Sequence, residues 1–217
     1  MKTDTQLRND VQAELNWAPE VKASEVGVIA KDGVVTLTGH LASHAEKYAV
    51  ERAAQRVHGV KALAVELTVK LPFDNQRTDA DIALAAERAL AWNVLVPDDK
   101  VHPMIEKGWL SLNGEVEWDY QRSAAENAVR DLMGVTGVSN LVKVKPKVSP
   151  ADVEKKIHEA LSRQAEREAN RLAITVNGSQ VTLRGTVNSW TERDAVQGAA
   201  WATPGVSVVV NDLLVDA

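Results

Sequence analysis

The chain has 217 residues, a formal net charge of −5 and no Cys. The missing Cys excludes disulfides, thiol nucleophiles and cysteine-ligated zinc. Basic residues nowhere outnumber acidic ones: nine against nine in 1–72, nine against twelve in 73–147, seven against nine in 148–217. That balance disfavours a nucleic-acid partner, which needs a basic face to displace counterions, and simple electrostatic adhesion to anionic lipid.

The chain opens MKTDTQLRNDVQAEL, where Asp4, Arg8, Asp10 and Glu14 interrupt any apolar signal core. No run of about 18 apolar residues follows, so no transmembrane helix is expected. The sequence as written points to the cytoplasm, and to the periplasm if an export signal has been removed.

The first predicted element is a helix with Leu7, Val11 and Leu15 on one face, capped by Thr3 with Gln6. A hairpin follows. Val26, Val28 and Ala30 alternate with other residues, Asp32-Gly33 supplies a two-residue turn, and Val35 and Leu37 alternate with Val34, Thr36 and Thr38. Ser43 with Glu46 then caps a second helix whose buried stripe is Ala49, Val50, Ala53, Ala54 and Val57. Gly59-Val60 ends it, and KALAVELTV (61–69) reads as a third strand.

This unit occurs three times. GVVTLTG (33–39), GWLSLNG (108–114) and SQVTLRG (179–185) end in Gly39, Gly114 and Gly185. The Gly-Val pairs at Gly59, Gly134 and Gly205 and the residues Val69, Val144 and Val215 keep the same offsets, 75 and then 71 residues. Leu7, Val11 and Leu15 map to Ile82, Ala86 and Leu90, then to Val153, Ile157 and Leu161. The first-helix caps recur as Thr78 with Asp81 and Ser149 with Asp152, with Pro150 at the first helical position. Ser189 with Glu192 repeats the second-helix cap. Trp118 stands there in the second copy, and Asp119 is the expected substitute.

The predicted architecture is therefore α+β: three tandem αββαβ modules, each a three-stranded mixed sheet with two helices on one face. Module boundaries are expected at 1–72, 76–147 and 148–217. The linkers KLPFDNQRT (70–78) and KPKVS (145–149) are short, which favours contact between neighbours. The six recurring glycines, Gly39, Gly59, Gly114, Gly134, Gly185 and Gly205, read as structural, at strand ends and helix caps.

The DGVVTLTG hairpin (32–39), the Ala-rich second helix and the closing GV-x-x-x-V-x-x-x-x-V spacing resemble the BON-domain family (bacterial OsmY and nodulation) across all three repeats. Within it the likeness is to OsmY-like proteins built of tandem modules. The resemblance implies an αββαβ fold, no enzymatic activity, a link to osmotic or envelope stress, and engagement of phospholipid surfaces or chaperone-like behaviour in the periplasm. The chain departs from the OsmY-type pattern in having three modules rather than two and in lacking an export signal.

The residues offer little catalytic chemistry. His40 and His44 are four apart but straddle a strand end and a helix start, and read as surface His. Asp98-Asp99 reads as a solvated turn, and Glu115 with Glu117 as the polar side of a strand exit. No phosphate loop, nucleophile elbow or HExxH occurs. No catalytic residue, metal or cofactor is expected.

The better leads are Trp17, Trp92, Trp109, Trp118, Trp190 and Trp201. Trp17 and Trp92 are equivalent, with Arg163 in the third copy. Trp109 falls on the polar sheet face, Trp118 and Trp190 near the start of the second helix, and Trp201 is expected to point outward. Such rings either glue the modules together or form a surface for lipid or a protein partner. Two functions stay open: a membrane-peripheral protein recognising phospholipid, and a soluble protein-binding or chaperone-like adaptor. A small-molecule or polysaccharide ligand is the third reading.

Overall fold

The computed structural model describes residues 2–146, 153, 155–157, 159 and 172–215. The first module runs α1 (Asp4–Trp17), β1 (Val26–Lys31), β2 (Val34–Leu41), α2 (His44–Arg56) and β3 (Ala62–Val69). The second runs α3 (Asp79–Ala91), β4 (Val101–Glu106), β5 (Trp109–Val116), α4 (Asp119–Val129), β6 (Gly137–Asn140) and β7 (Lys143–Val144). The third shows β8 (Leu172–Asn177), β9 (Gln180–Val187), α5 (Trp190–Trp201) and β10 (Val208–Val215). Ahead of β8, Val153, Lys155, Lys156, Ile157 and Glu159 are helical, with Val153 and Ile157 buried. The third copy's cap at Ser149, Pro150 and Asp152, and Leu161 and Arg163, lie outside the described residues.

Each sheet is mixed, with the second strand of the module in the centre. β2 is antiparallel to β1 and parallel to β3, and β9 stands in the same relation to β8 and β10. The parallel step is made through the second helix, whose small residues let it lie close to the sheet. Val50, Ala53 and Ala54 are buried in α2; Ala124, Ala125 and Val129 in α4; Val196, Ala199 and Ala200 in α5. Ala195, expected in that stripe, is exposed, because α5 turns that edge away from its sheet.

The second module differs at its last strand. β6 and β7 both pair with β5, but Leu141 and Val142 interrupt them. Asn140 stands at the break. Its amide donates to the Arg122 carbonyl at 2.9 Å, and its own Oδ1 accepts from the Val142 N–H at 3.3 Å. The equivalent Asn211 accepts from the Leu213 N–H at 3.2 Å inside the unbroken β10, so this bond is common to both edge strands and does not itself cause the break.

The caps fix where the helices start. Thr3 and Gln6 form a reciprocal capping box, as do Thr78 and Asp81. In the second helices the partner residue reaches one position further back. Glu46 accepts from the N–H of Ala42 and of Lys22, both at 3.0 Å. Glu192 accepts from Asn188 at 2.7 Å, and Gln121 accepts from Glu117 and Trp118 at 3.0 Å. Gln121, not Asp119, therefore secures the start of α4; Asp119 is occupied with Arg122.

The hairpin turns are tied to the first helices. Asp32 and Gly33 have φ of 52° and 84°, and the Asp32 N–H donates to Asp4 Oδ1 at 2.9 Å. Lys107 and Gly108 repeat the turn, donating to Asp79 at 2.8 and 2.9 Å. At Gly39 and Gly114, φ is 141° and 143°, and an added Cβ would sit 2.1 and 1.9 Å from the carbonyl oxygens of Glu25 and Lys100. Only Gly fits there.

Two apolar cores result. One belongs to the first module alone, around Val11, Leu15, Leu37 and Val50. The other is continuous through the second and third modules, from Ile82 and Leu112 to Leu183 and Ala200.

Candidate functional site

The three second helices meet head to tail. The start of α2 meets the end of α4: His44 Nδ1 lies 3.2 Å from the Arg130 carbonyl oxygen, and the Arg130 guanidinium stacks 4.1 Å from the Tyr48 ring centre. The start of α4 meets the end of α5: Arg122 pairs with Asp119 and stacks 4.6 Å from the Trp201 ring centre. The start of α5 meets the end of α2: the Trp190 indole donates to the Val60 carbonyl at 2.9 Å, and Arg52 pairs with Asp194 at 2.8 Å. The modules form a closed cycle, first to second, second to third, third to first.

Equivalent positions carry these contacts. By the repeat offsets His44, Asp119 and Trp190 correspond, as do Gln55, Arg130 and Trp201. An Arg lies against an aromatic ring at every junction, Arg193 over Trp190 at 5.4 Å completing the set. Such pairs contribute about 0.5–2 kcal/mol each, more when desolvated.

The junctions perturb two ionisable groups. Burial lowers the His44 pKa from its ordinary value, against a smaller opposing effect of the hydrogen bond to the Arg130 carbonyl. Burial raises that of Asp119, against the attraction of Arg122. Elsewhere, Glu115 is held low by its hydrogen bond with Lys145.

The structure separates the six Trp into three kinds. Trp118, Trp190 and Trp201 stand at the junctions. Trp201 is only 9 % exposed, so the expectation that it points outward is wrong. It lies on the outer edge of its own module, but that edge is covered by the second module. Trp109 lies across its sheet over Gly137 and donates to Ser139 at 2.9 Å. Trp17 and Trp92 project from the ends of α1 and α3 and are 84 % and 91 % exposed. Phe73, Val94 and Leu95 are exposed near them in sequence.

Sequence reasoning missed Arg122, Arg130 and Tyr48. The usable signal was the repeat itself: Gln55, Arg130 and Trp201 differ in kind at one helix-end position, which argues for three different surroundings.

Among the described residues no three His, Asp or Glu side chains converge as metal ligands. His40 contacts Thr68, and His44 belongs to a junction. Asp98 and Asp99 are both exposed in the turn before β4. No helix among these residues is long and apolar enough to cross a membrane.

The family comparison agrees with the repeat, and individual relatives are more distant. The chain is 27 % identical over 146 residues to osmotically-inducible protein Y of Escherichia coli (strain K12), covering 65 % of this chain and 73 % of that one. Among solved structures, CdsD, a structural protein of the type III secretion system of Chlamydia trachomatis, is 16 % identical over 96 % of this chain and 91 % of its own, with a TM-score of 0.24. The C-terminal domain of CdsD is 12 % identical over the full length of both chains, with a TM-score of 0.25. The BON-domain model matches three times, at residues 3–70, 78–146 and 149–217. The chain thus belongs to the BON-domain family, and carries the domain three times over.

Proposed function

We propose that this is a non-enzymatic, stress-related binding protein that docks on phospholipid surfaces through Trp17 and Trp92. One observation carries the reading: these two equivalent indoles project almost fully into solvent, where exposure of a large apolar ring is costly and unused by the fold. Trp favours the boundary between hydrocarbon and water, since its ring is apolar and its N–H is polar. Val94, two residues after Trp92, and Phe73, after the first module, are exposed as well. The likeness to an osmotically-inducible protein supports the stress assignment. With a net charge of −5, attachment rests on ring insertion more than on attraction to anionic headgroups.

The test is co-sedimentation with zwitterionic and phosphatidylglycerol-rich vesicles at low and physiological salt. Binding should survive salt and disappear in the double variant Trp17→Ala, Trp92→Ala. Equal binding by that variant, or none by the parent, defeats the reading; in the second case a soluble protein-binding role takes its place.

A further inference from the structure

Grooves open at two successive junctions, and they are the same place in the repeat. The first, about 540 Å³, runs beside Tyr48, Arg52 and Arg130. The second, about 730 Å³, runs beside Ser123, Asn127 and Trp201. Those residues correspond one to one through the 75- and 71-residue offsets. In the first groove Arg130 lies over the Tyr48 ring. In the second, a small hydroxyl replaces the phenol and a neutral amide replaces the Arg52 guanidinium. Charge leaves, and aromatic rings move to the mouth: Trp118 and Tyr120 stand where the first groove has Ser43 and Ala45.

Gly198 faces the second groove from α5. Gly inside a helix is unfavourable relative to Ala, and here its conformation is ordinary. An added Cβ would meet nothing within 4 Å. The fold gains nothing from this Gly except open space. Trp118 and Tyr120 wall the space, and Trp201, nine-tenths buried on its far side, keeps an indole N–H with no acceptor. Among the described residues that line it, the one charged group, Asp119, is already paired with Arg122.

We propose that the groove between the second and third modules binds a neutral sugar. A pyranose ring offers a flat C–H face to indole and phenol rings. Its hydroxyls both donate and accept, which suits Ser123 and Asn127, one helical turn apart on α4. An ionised ligand finds no free countercharge there. An alkyl chain would set Ser123 and Asn127 against hydrocarbon, which is unfavourable. The proposal does not depend on the lipid surface of Trp17 and Trp92.

The test titrates the full chain with maltose, cellobiose and trehalose, followed by calorimetry and Trp fluorescence, beside Gly198→Leu and Asn127→Ala. Gly198→Leu replaces a poor helix former where there is room, so it should fold and melt no lower than the parent. At least one sugar should bind saturably, about tenfold or more weakly in Asn127→Ala, the scale of one lost hydrogen bond, and at least as weakly in Gly198→Leu, whose side chain takes up the space. No saturable binding of any of the three sugars overturns the proposal, as does undiminished binding by Gly198→Leu. Binding of dodecyl maltoside without binding of maltose also overturns it, because the groove then takes the alkyl chain.

Discussion

Trp190, at the start of the third module's second helix, gives its indole N–H to the Val60 carbonyl of the first module, 2.9 Å away. The other two junctions join modules that are consecutive in the chain. This one closes the cycle without a linker.

Removing that ring should open the seam. Trp190→Ala loses a hydrogen bond and a half-buried aromatic contact, worth about 1–3 kcal/mol together. The exposed Arg52–Asp194 pair adds less than about 1 kcal/mol. Small-angle scattering should show a larger radius of gyration for the variant. The chain has no Cys, so Arg52→Cys with Asp194→Cys can be joined by a short bismaleimide. An intrachain product is expected from the parent background and a reduced yield with Trp190→Ala; equal yields would show that Trp190 does not hold the seam.

Trp201→Ala should be the most damaging of the Trp substitutions. Its nearly buried indole belongs to the joint core where that core meets the groove, and losing it costs about 3–5 kcal/mol. Trp109→Ala, which removes a half-exposed ring and one bond to Ser139, should cost about 1 kcal/mol. Urea unfolding of both variants checks the ranking; the reverse order would contradict the placement of Trp201.

Acid should weaken the first junction before it touches the carboxylates. His44 has a lowered pKa in the fold, so below its ordinary value of 6.5 the unfolded chain binds the proton more readily. Its contribution is fully present above pH 6.5 and falls as pH drops toward the folded pKa. Lys47 reinforces the lowering, while Asp131 and Glu126 oppose it. Asp119 acts the other way: with its pKa raised by burial, it favours the fold as acid protonates it, in a more acidic window near its ordinary 3.8 and above. Thermal midpoints measured from pH 7.5 down to 5.5 should fall in the parent and fall less in His44→Gln. Parallel curves would remove His44 as the cause.

Two glycines should respond very differently to Ala. At Gly114 the new Cβ meets the Lys100 carbonyl at 1.9 Å, at a φ of 143° that side chains avoid. Backbone must move, and a loss above about 3 kcal/mol is expected. At Gly178, φ is 59° and nothing stands within 4 Å. There the cost is the left-handed conformation alone, about 1–2 kcal/mol. Chemical denaturation of the two variants gives the comparison.

The fold was legible because its signals are local and occur three times. Thr3 with Gln6, Asp32-Gly33 and the Ala49–Val57 stripe each name an element through spacing that any single module shows. Junction chemistry has no such period. Trp201 reads as outward from α5 alone, and becomes core only when Arg122 of another module covers it. Asp119 looked like a cap by type and place, yet Gln121 two residues on had the reach to serve Glu117 and Trp118 together. The break between β6 and β7 has no counterpart in β10, although Asn140 and Asn211 stand at equivalent positions and make the same bond two residues on. Trp17 and Trp92 were visible as equivalent residues, but their exposure follows from what the neighbouring modules leave uncovered.

Head-to-tail docking has a valence of two: each module offers one helix start and one helix end. In this chain all three starts and all three ends are spoken for, so a fourth module would find no vacant place without unseating one of the others. A pair of modules, by contrast, would leave one start and one end free. The number of repeats is therefore not a matter of length alone. It decides whether the chain presents adhesive ends to its surroundings or turns them inward.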